Sequence, residues 1–370
     1  MKGKILITGG AGFIGSHLTD ELINQGYEVR ILDTLCEQVH GPNAEIPKYL
    51  HPEAHFIKGD ICDRNKVKKA LENIDAVFHF AAKVGVGQSM YELEKYTKIN
   101  NLGTAILLEE IIKNPIKKLI VASSMSIYGE GLYKNQENKL QTKLHRNLED
   151  LKNEKWELYE EGQALKPIPT PETKTPELSS IYALSKYDQE KLCLITGKAY
   201  KIPTVALRFF NVYGTRQALS NPYTGVLAIF ASRLLNENPP LIFEDGKQKR
   251  DFIHVKDVAK ACLATLETSA ADGETLNVGS GKSYTINQIA EALQKVLKKN
   301  ISPKITQKYR VGDIRHCFAN IEKMQKCLGF SPQIALEEGL AELANWLKEQ
   351  TAVDNFEKAG TELSSRGLTV

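Results

Sequence analysis

The stretch KILITGGAGFIG, residues 4–15, decides the fold. An apolar run closes on Thr8, and Gly9, Gly12 and Gly15 then recur at every third position before the helical pattern HLTDELINQG. Gly9 permits a sharp turn, Gly12 lets backbone N–H groups approach an anion, and Gly15 lets the helix pack close to the strand. Phe13 and Ile14 fall at the helix start, where the dipole favours negative charge. Outward from this unit, EVRILD, AVFHFAA and KKLIVASS read as further strands, with TAILLEEIIK as a helix between them. That alternation predicts an α/β fold, a doubly wound parallel sheet of Rossmann type. Leu119 to Ala122 are apolar at successive positions, as suits a strand covered on both faces.

The doubly wound part is expected over residues 1–208, interrupted by a charged, Pro-rich insertion at 131–177. There Leu140, Leu144, Leu148 and Leu151 fall at helical spacing and predict an amphipathic helix, followed by an extended stretch. Residues 209–347 read as a smaller α/β substrate domain, with a helix from about Asn287 to Lys298 opened by Thr285. Residues 348–370 hold few large apolar side chains and are expected to be a flexible tail.

With 48 Lys+Arg against 45 Asp+Glu the net charge is +3, which gives no footprint for nucleic acid or an anionic membrane. The six cysteines show no C-x-x-C pair and no zinc spacing, so no metal is expected. No run of apolar residues has the length of a membrane span or a signal-peptide core, and a cytoplasmic setting is expected.

Asp33 closes the strand EVRILD about twenty residues past the glycines, where a carboxylate would accept from ribose hydroxyls and repel a 2′-phosphate. NAD is therefore expected rather than NADP. Asp60 and Ile61, after another strand, would flank the adenine, and Ala81-Ala82 ends the fourth strand at the sheet's carboxyl edge.

Ser124 ends the strand that begins at Leu119, and Tyr182 and Lys186 stand at i and i+4, which on a helix turns both side chains the same way. A phenol near pKa 10 is a poor base at neutral pH, and a neighbouring ammonium together with a positive nicotinamide favours phenolate. Tyr182 would then take a proton from a hydroxyl while hydride leaves the same carbon, and Ser124 would hydrogen-bond the reacting oxygen.

In this order, TGGAGFIGSH, HFAA, SSMSIYG, YALSK, RFFNVYG and RDFIHVKDVA resemble the extended short-chain dehydrogenase/reductases that act on nucleotide sugars. Within that group the chain is most similar to the dTDP-L-rhamnose 4-epimerases, through SSMSIYGEGLY, the insertion before SIYALSKYDQE, and NVYGTRQALSNPYTGV. The resemblance implies an isomerase of carbohydrate biosynthesis, with Ser124, Tyr182 and Lys186 catalytic and Tyr182 and Lys186 also holding the cofactor. It implies Asn100 near the cofactor, Asn211, Arg250 and Arg310 near the sugar diphosphate, Asp313 near the nucleoside, and Ser124 in contact with substrate. A homodimer through the helix bearing Tyr182 and the one beginning near Asn101 is implied as well, with Ile106, Leu107 and Ile111 fitting either that bundle or ordinary core packing.

The related dehydratases carry an Asp-Glu pair directly after the strand-end Ser/Thr, where this chain has Met125 and Ser126. Neither moves a proton at neutral pH, which argues against dehydration. Asp33 argues against the NADP-dependent reductases. A nucleotide-sugar 4-epimerase remains, acting on dTDP-rhamnose, UDP-glucose or UDP-glucuronate; a sensor that keeps the fold without the chemistry is the rival from another class. His254 is expected either to touch substrate or to be structural.

Overall fold

A computed structural model describes residues 2–142, 144–310 and 312–369. Its main sheet has seven strands: β1 (Lys4–Thr8), β2 (Glu28–Asp33), β3 (His55–Lys58), β4 (Ala76–His79), β5 (Lys118–Ser124), β6 (Thr204–Phe209) and β7 (Thr275–Val278). They lie in the order β3-β2-β1-β4-β5-β6-β7, all parallel. The expected doubly wound sheet is present. Successive residues of one strand point to opposite faces, so Ile5 and Ile7 join one buried cluster with Leu18, Leu22 and Val258. Leu6 joins another with Val67, Leu107 and Ile111. Each fully buried aliphatic side chain contributes about 1.5–3 kcal/mol, which makes this two-sided core the main source of stability.

The helices that cover the sheet include α1 (Phe13–Asn24), α2 (Arg64–Ala70), α3 (Gly103–Lys113), α4 (Ile181–Tyr200) and α5 (Val255–Glu267). A π-helical turn over Thr97–Leu102 precedes α3. Ile106, Leu107 and Ile111 are buried against the sheet, so ordinary core packing accounts for them. Among the apolar side chains that α4 and the turn before α3 leave exposed are Leu102, Leu184 and Ile195.

Residue 208 does not end the large sheet, contrary to expectation. β7 comes from beyond it and pairs with β6 from Ala206 against Thr275 to Phe209 against Val278. α5 also returns to pack on the α1 side of the core. The remainder of the C-terminal half forms a smaller α/β unit around Tyr213, Phe230, Leu293 and Leu340. Its helix Ile286–Leu297 starts at Thr285 as expected, through a capping box in which Thr285 Oγ1 accepts from Gln288 N at 3.2 Å.

The insertion departs from the expected helix. Leu132–Lys134 pairs antiparallel with Lys166–Ile168 and with Leu140–Gln141, and among the described residues only Leu148–Lys152 is helical. Leu140 lies exposed on a strand, Leu144 packs beside Tyr133, Leu158 and Leu165, and Leu151 is buried with Trp156 and Tyr309. Contacts to separate parts of the fold thus replace the single helical stripe. The tail also differs: Phe356–Ser365 is a helix with Ala359 and Leu363 buried. Among the described residues no helix is long and apolar enough to cross a membrane.

Candidate active site

Parallel strands bring their carboxyl ends to one edge, and ligands of such sheets bind there. Thr8, Asp33, His79 and Ser124 all end strands at this edge. A cleft of about 2000 Å³ runs along it, twice the upper end of ordinary small-molecule pockets at about 1000 Å³. It has room for two nucleotide-sized ligands. Gly9, Gly12, Phe13, Ile14, Gly15, Asp33, Asp60, Ile61, Ala81 and Ala82 line one arm; Ser124, Tyr182 and Lys186 stand at the junction; Asn211, Arg250, Arg310 and Asp313 line the other arm.

The glycine turn fits a dinucleotide for reasons visible in its backbone. Gly9 has φ +74°, and a Cβ there would stand 2.8 Å from Ala81 N. Gly12 caps α1 with no side-chain hydrogen bond, which leaves the first helical N–H groups turned toward the cleft. A Cβ on Gly15 would stand 2.6 Å from Gly10 Cα, so this glycine closes the helix onto its own turn. Asp33 holds that turn: its carboxylate accepts from Ala11 N at 3.1 Å and Leu35 N at 2.9 Å, and it borders the cleft. Asp60 accepts from Cys62 N at 2.8 Å and fixes the loop after β3.

The two serines at the end of β5 have separate partners. Ser123 donates to Glu190 at 2.7 Å, and the Glu190 carboxylate grips the Arg208 guanidinium at 2.7 and 2.9 Å. Ser124 turns into the cleft, where its Oγ accepts from Ser126 Oγ at 2.9 Å. Burial pushes the Tyr182 phenol up, and its contact with the Ser124 hydroxyl acts in the opposite direction. Tyr182 and Ser124 line the same part of the cleft, beside Lys186. The expected lowering of Tyr182 by Lys186 is absent from the protein alone: burial dominates, and the opposing influence is Ser124 rather than Lys186.

Lys186 is buried, and desolvation pushes its ammonium down to about 8. Its Nζ donates to Gln189 Oε1 at 2.5 Å, and Gln189 Nε2 donates to Thr104 Oγ1 at 2.9 Å. Thr104 Oγ1 also meets His79 Nε2 at 2.8 Å, and His79 Nδ1 meets Thr8 Oγ1 at 2.8 Å. Burial pushes His79 down to about 3, so its ring is neutral and links by hydrogen bonds rather than charge. This polar chain ties Lys186 to the strand that carries the glycine turn. Sequence reasoning missed Gln189, Thr104 and His79; a histidine inside the apolar run AVFHFAA was the available signal.

Asn100 stands behind the cleft wall rather than on it. It is fully buried in the π-helical turn, where its Oδ1 accepts from Lys83 N at 2.7 Å and its Nδ2 donates to Ser185 Oγ at 2.9 Å. It clamps the loop after β4 to α4, one layer behind the cleft. His254 is structural: it is buried, caps α5, and packs edge-on against Tyr213 at 5.3 Å.

Arg250 and Arg310 share the second arm with different freedom. The Arg250 guanidinium donates to Arg315 O and Lys249 O at 3.0 Å each and to Ile314 O, so the fold occupies it. Arg310 stacks 4.2 Å over the Phe243 ring, and its buried Nε has no partner among the described residues. The insertion braces this strip of chain. Arg315 is buried among Glu157 at 2.5 Å, Asp245 at 2.7 Å and Glu244 at 2.9 Å, and Arg146 pairs with Glu244 at 2.7 Å. Among the described residues no three His, Cys, Asp or Glu side chains gather as metal ligands would.

Residues 5–149 and 157–279 match the model of the NAD dependent epimerase/dehydratase family. The chain belongs to this family. Among curated members, it is 32% identical to a dTDP-L-rhamnose 4-epimerase of Burkholderia thailandensis over 94% of this chain and 95% of that one. Among solved members, it matches a UDP-glucose 4-epimerase of Thermotoga maritima with UDP-glucose at TM-score 0.76 and 31% identity, over 94% of this chain and 99% of that one. A UDP-glucuronic acid 4-epimerase of Bacillus cereus, in complex with UDP-glucuronic acid and NAD, matches at TM-score 0.77 and 29% identity, again over 94% and 99%. Family membership agrees with the glycine turn along the cleft and with Tyr182 and Lys186 in its lining.

Proposed function

We propose that this family member is an NAD-dependent nucleotide-sugar 4-epimerase, with dTDP-L-rhamnose the first substrate to test. The observation that supports the reading is that Ser124, Tyr182 and Lys186 line one cleft together, between the glycine turn and the arginines. Gly9, Gly12, Gly15 and Asp33 would hold NAD, which supplies a reversible hydride acceptor and a positive ring beside the phenol. Tyr182 takes the proton from the C4 hydroxyl and returns it after the 4-keto sugar has turned. Ser124 holds the reacting oxygen throughout. Lys186 grips the nicotinamide ribose and, as an ammonium, favours the phenolate.

Met125 and Ser126 follow Ser124 and are both buried. Neither provides the acid and base that loss of water needs, so epimerisation is the reaction these residues suit. Arg310 has donors to spare for a diphosphate, and a planar guanidinium grips phosphate bidentately. A loosely held hexose on a firmly held diphosphate is free to rotate between the two hydride transfers.

UDP-glucose or UDP-glucuronate is the second substrate reading, favoured by the likeness to the Thermotoga and Bacillus enzymes. A homodimer is proposed through the exposed Leu102, Leu184 and Ile195; Leu184→Asp with Ile195→Asp should give a monomer by light scattering.

The deciding experiment offers dTDP-rhamnose, UDP-glucose, UDP-glucuronate and GDP-mannose to the purified enzyme and follows C4 of each by NMR. Inversion at C4 without net use of added NAD is expected. Tyr182→Phe should keep its NAD and lose turnover by about 10³-fold. Stoichiometric consumption of external NAD, or a dehydrated product, would refute the proposal.

A further inference from the structure

The C-terminal segment spans the mouth of the cleft. On one bank Val353 N donates to Ser220 Oγ at 3.0 Å and Asn355 Nδ2 to Ser220 O at 2.9 Å. Asp354 accepts from Asn238 at 2.8 Å and pairs with Arg233 at 3.1 Å. Phe356 packs on Phe243, the ring that Arg310 covers. On the other bank Leu363 lies over Gly87, where a Cβ would come within 3.2 Å of its Cδ2, and the Arg366 guanidinium stands 4.5 Å from the Tyr91 ring. Phe356, Ala359, Leu363, Leu368 and Thr369 all face the cleft.

Beyond this helix Thr369 makes an isolated antiparallel bridge with Arg310. The two bridged residues share a peculiarity: Arg310 Nε and Thr369 Oγ1 are both buried, and neither has a hydrogen-bond partner among the described residues. Folded proteins leave few buried polar atoms unpaired. Here two donors stand on paired residues at the wall of a binding cleft, one of them part of a guanidinium that donates no hydrogen bond among the described residues. That combination is a receptor for an anion.

We propose that residues 351–369 are a movable wall of the substrate site, in which Thr369 joins Arg310 in holding the diphosphate of a nucleotide sugar. The proposal rests on the nucleotide-sugar reading of the cleft. The wall must lift for substrate to enter, and its contacts suit that: beyond Asp354 it is fastened by a few stacked rings, two buried aliphatic side chains and the single bridge at Thr369 rather than by an extended sheet. Its docking on both banks then shuts water out of the junction that Tyr182 and Ser124 line.

The test uses the NAD-loaded enzyme, with UDP and dTDP as probes. Either nucleotide should slow tryptic cleavage after Lys358 and Arg366 by about tenfold, because bound diphosphate holds the wall down. Thr369→Val should weaken nucleotide binding by calorimetry and raise KM, each about tenfold, with kcat within about twofold. A chain ending at Gln350 should lose more, about 100-fold in KM. Thr369→Val with wild-type nucleotide affinity and KM, or tryptic cleavage indifferent to both nucleotides while they bind, overturns the proposal. A wild-type enzyme that binds neither UDP nor dTDP overturns the nucleotide-sugar reading along with it. The single substitution keeps the test decisive even where the shortened chain fails to fold.

Discussion

Lys186 Nζ donates to Gln189 Oε1 at 2.5 Å, one helical turn further along the same buried face. A neutral amide oxygen there accepts from the ammonium, and desolvation outweighs the pull of Cys193 and Glu190 and leaves it down at about 8. Lys186 is thus charged below that pH and neutral above it. The alkaline fall of kcat/KM should reflect this. Gln189→Leu removes the acceptor, and losing a hydrogen bond to a charged group, about 1.5–3 kcal/mol, should move that fall to lower pH by about one unit or more. Gln189→Glu should move it the other way. Identical pH profiles in both variants would show that Lys186 ionisation does not set the limb.

Asp33 organises the glycine turn from below while bordering the cleft. Asp33→Ala strips the acceptor from Ala11 N and Leu35 N and removes the proposed ribose ligand. NAD affinity should fall by about 10–100-fold, as for the loss of one or two charge-assisted hydrogen bonds. Fluorescence titration of the cofactor-free variant measures this. Unchanged affinity would separate the carboxylate from the dinucleotide.

Glu157 ties the insertion to Arg315 and His316. Burial alone would raise its carboxyl, but hydrogen bonds from His316 and Arg315 outweigh burial and hold it down at about 2. A carboxylate depressed in the folded state stabilises above its unfolded pKa of about 4.3, and the contribution disappears as pH falls toward the folded value. Glu157→Gln should therefore melt below the wild type at pH 7, and the gap should narrow between about pH 4.5 and pH 2. A gap that stays constant with pH would place the stability elsewhere in the cluster.

The neighbouring serines of β5 should separate cleanly in two assays. Ser124→Ala should lower kcat by about 10²–10³-fold and leave the urea midpoint close to wild type. Ser123→Ala should do little to kcat. Glu190→Gln leaves the buried Arg208 cation without its counter-charge, and breaking such a pair costs about 3–5 kcal/mol. Chemical denaturation reads that loss directly; a stable Glu190→Gln variant would mean that Arg208 finds another partner.

The glycine turn, the strands of the sheet and the Tyr182–Lys186 pair were legible in the sequence because each leaves a local mark: a fixed spacing, a contiguous apolar run, a helical offset. The hairpins of the insertion left none, since strands of two or three residues show no period. β7 is only four residues long, and its partner β6 lies far earlier in the chain, so the return across residue 208 could not be read from either alone. The helix FEKAGTELSS buries just Ala359 and Leu363, too few to set a helical stripe apart from a polar tail. Gln189 and Thr104 gave no signal, because a polar side chain is buried only when its partners arrive from elsewhere in the chain.

The position of β7 also bears on how the protein comes off the ribosome. When β6 has emerged, the hydrogen-bonding groups of Ala206–Phe209 that will meet Thr275–Val278 still face solvent, and they wait until the strand from 275 has been translated. For that interval the nascent chain carries an open sheet edge of the kind that recruits other chains. Slow synthesis between the two strands, or a chaperone that covers this edge, would govern the yield of folded enzyme more than any residue in the cleft.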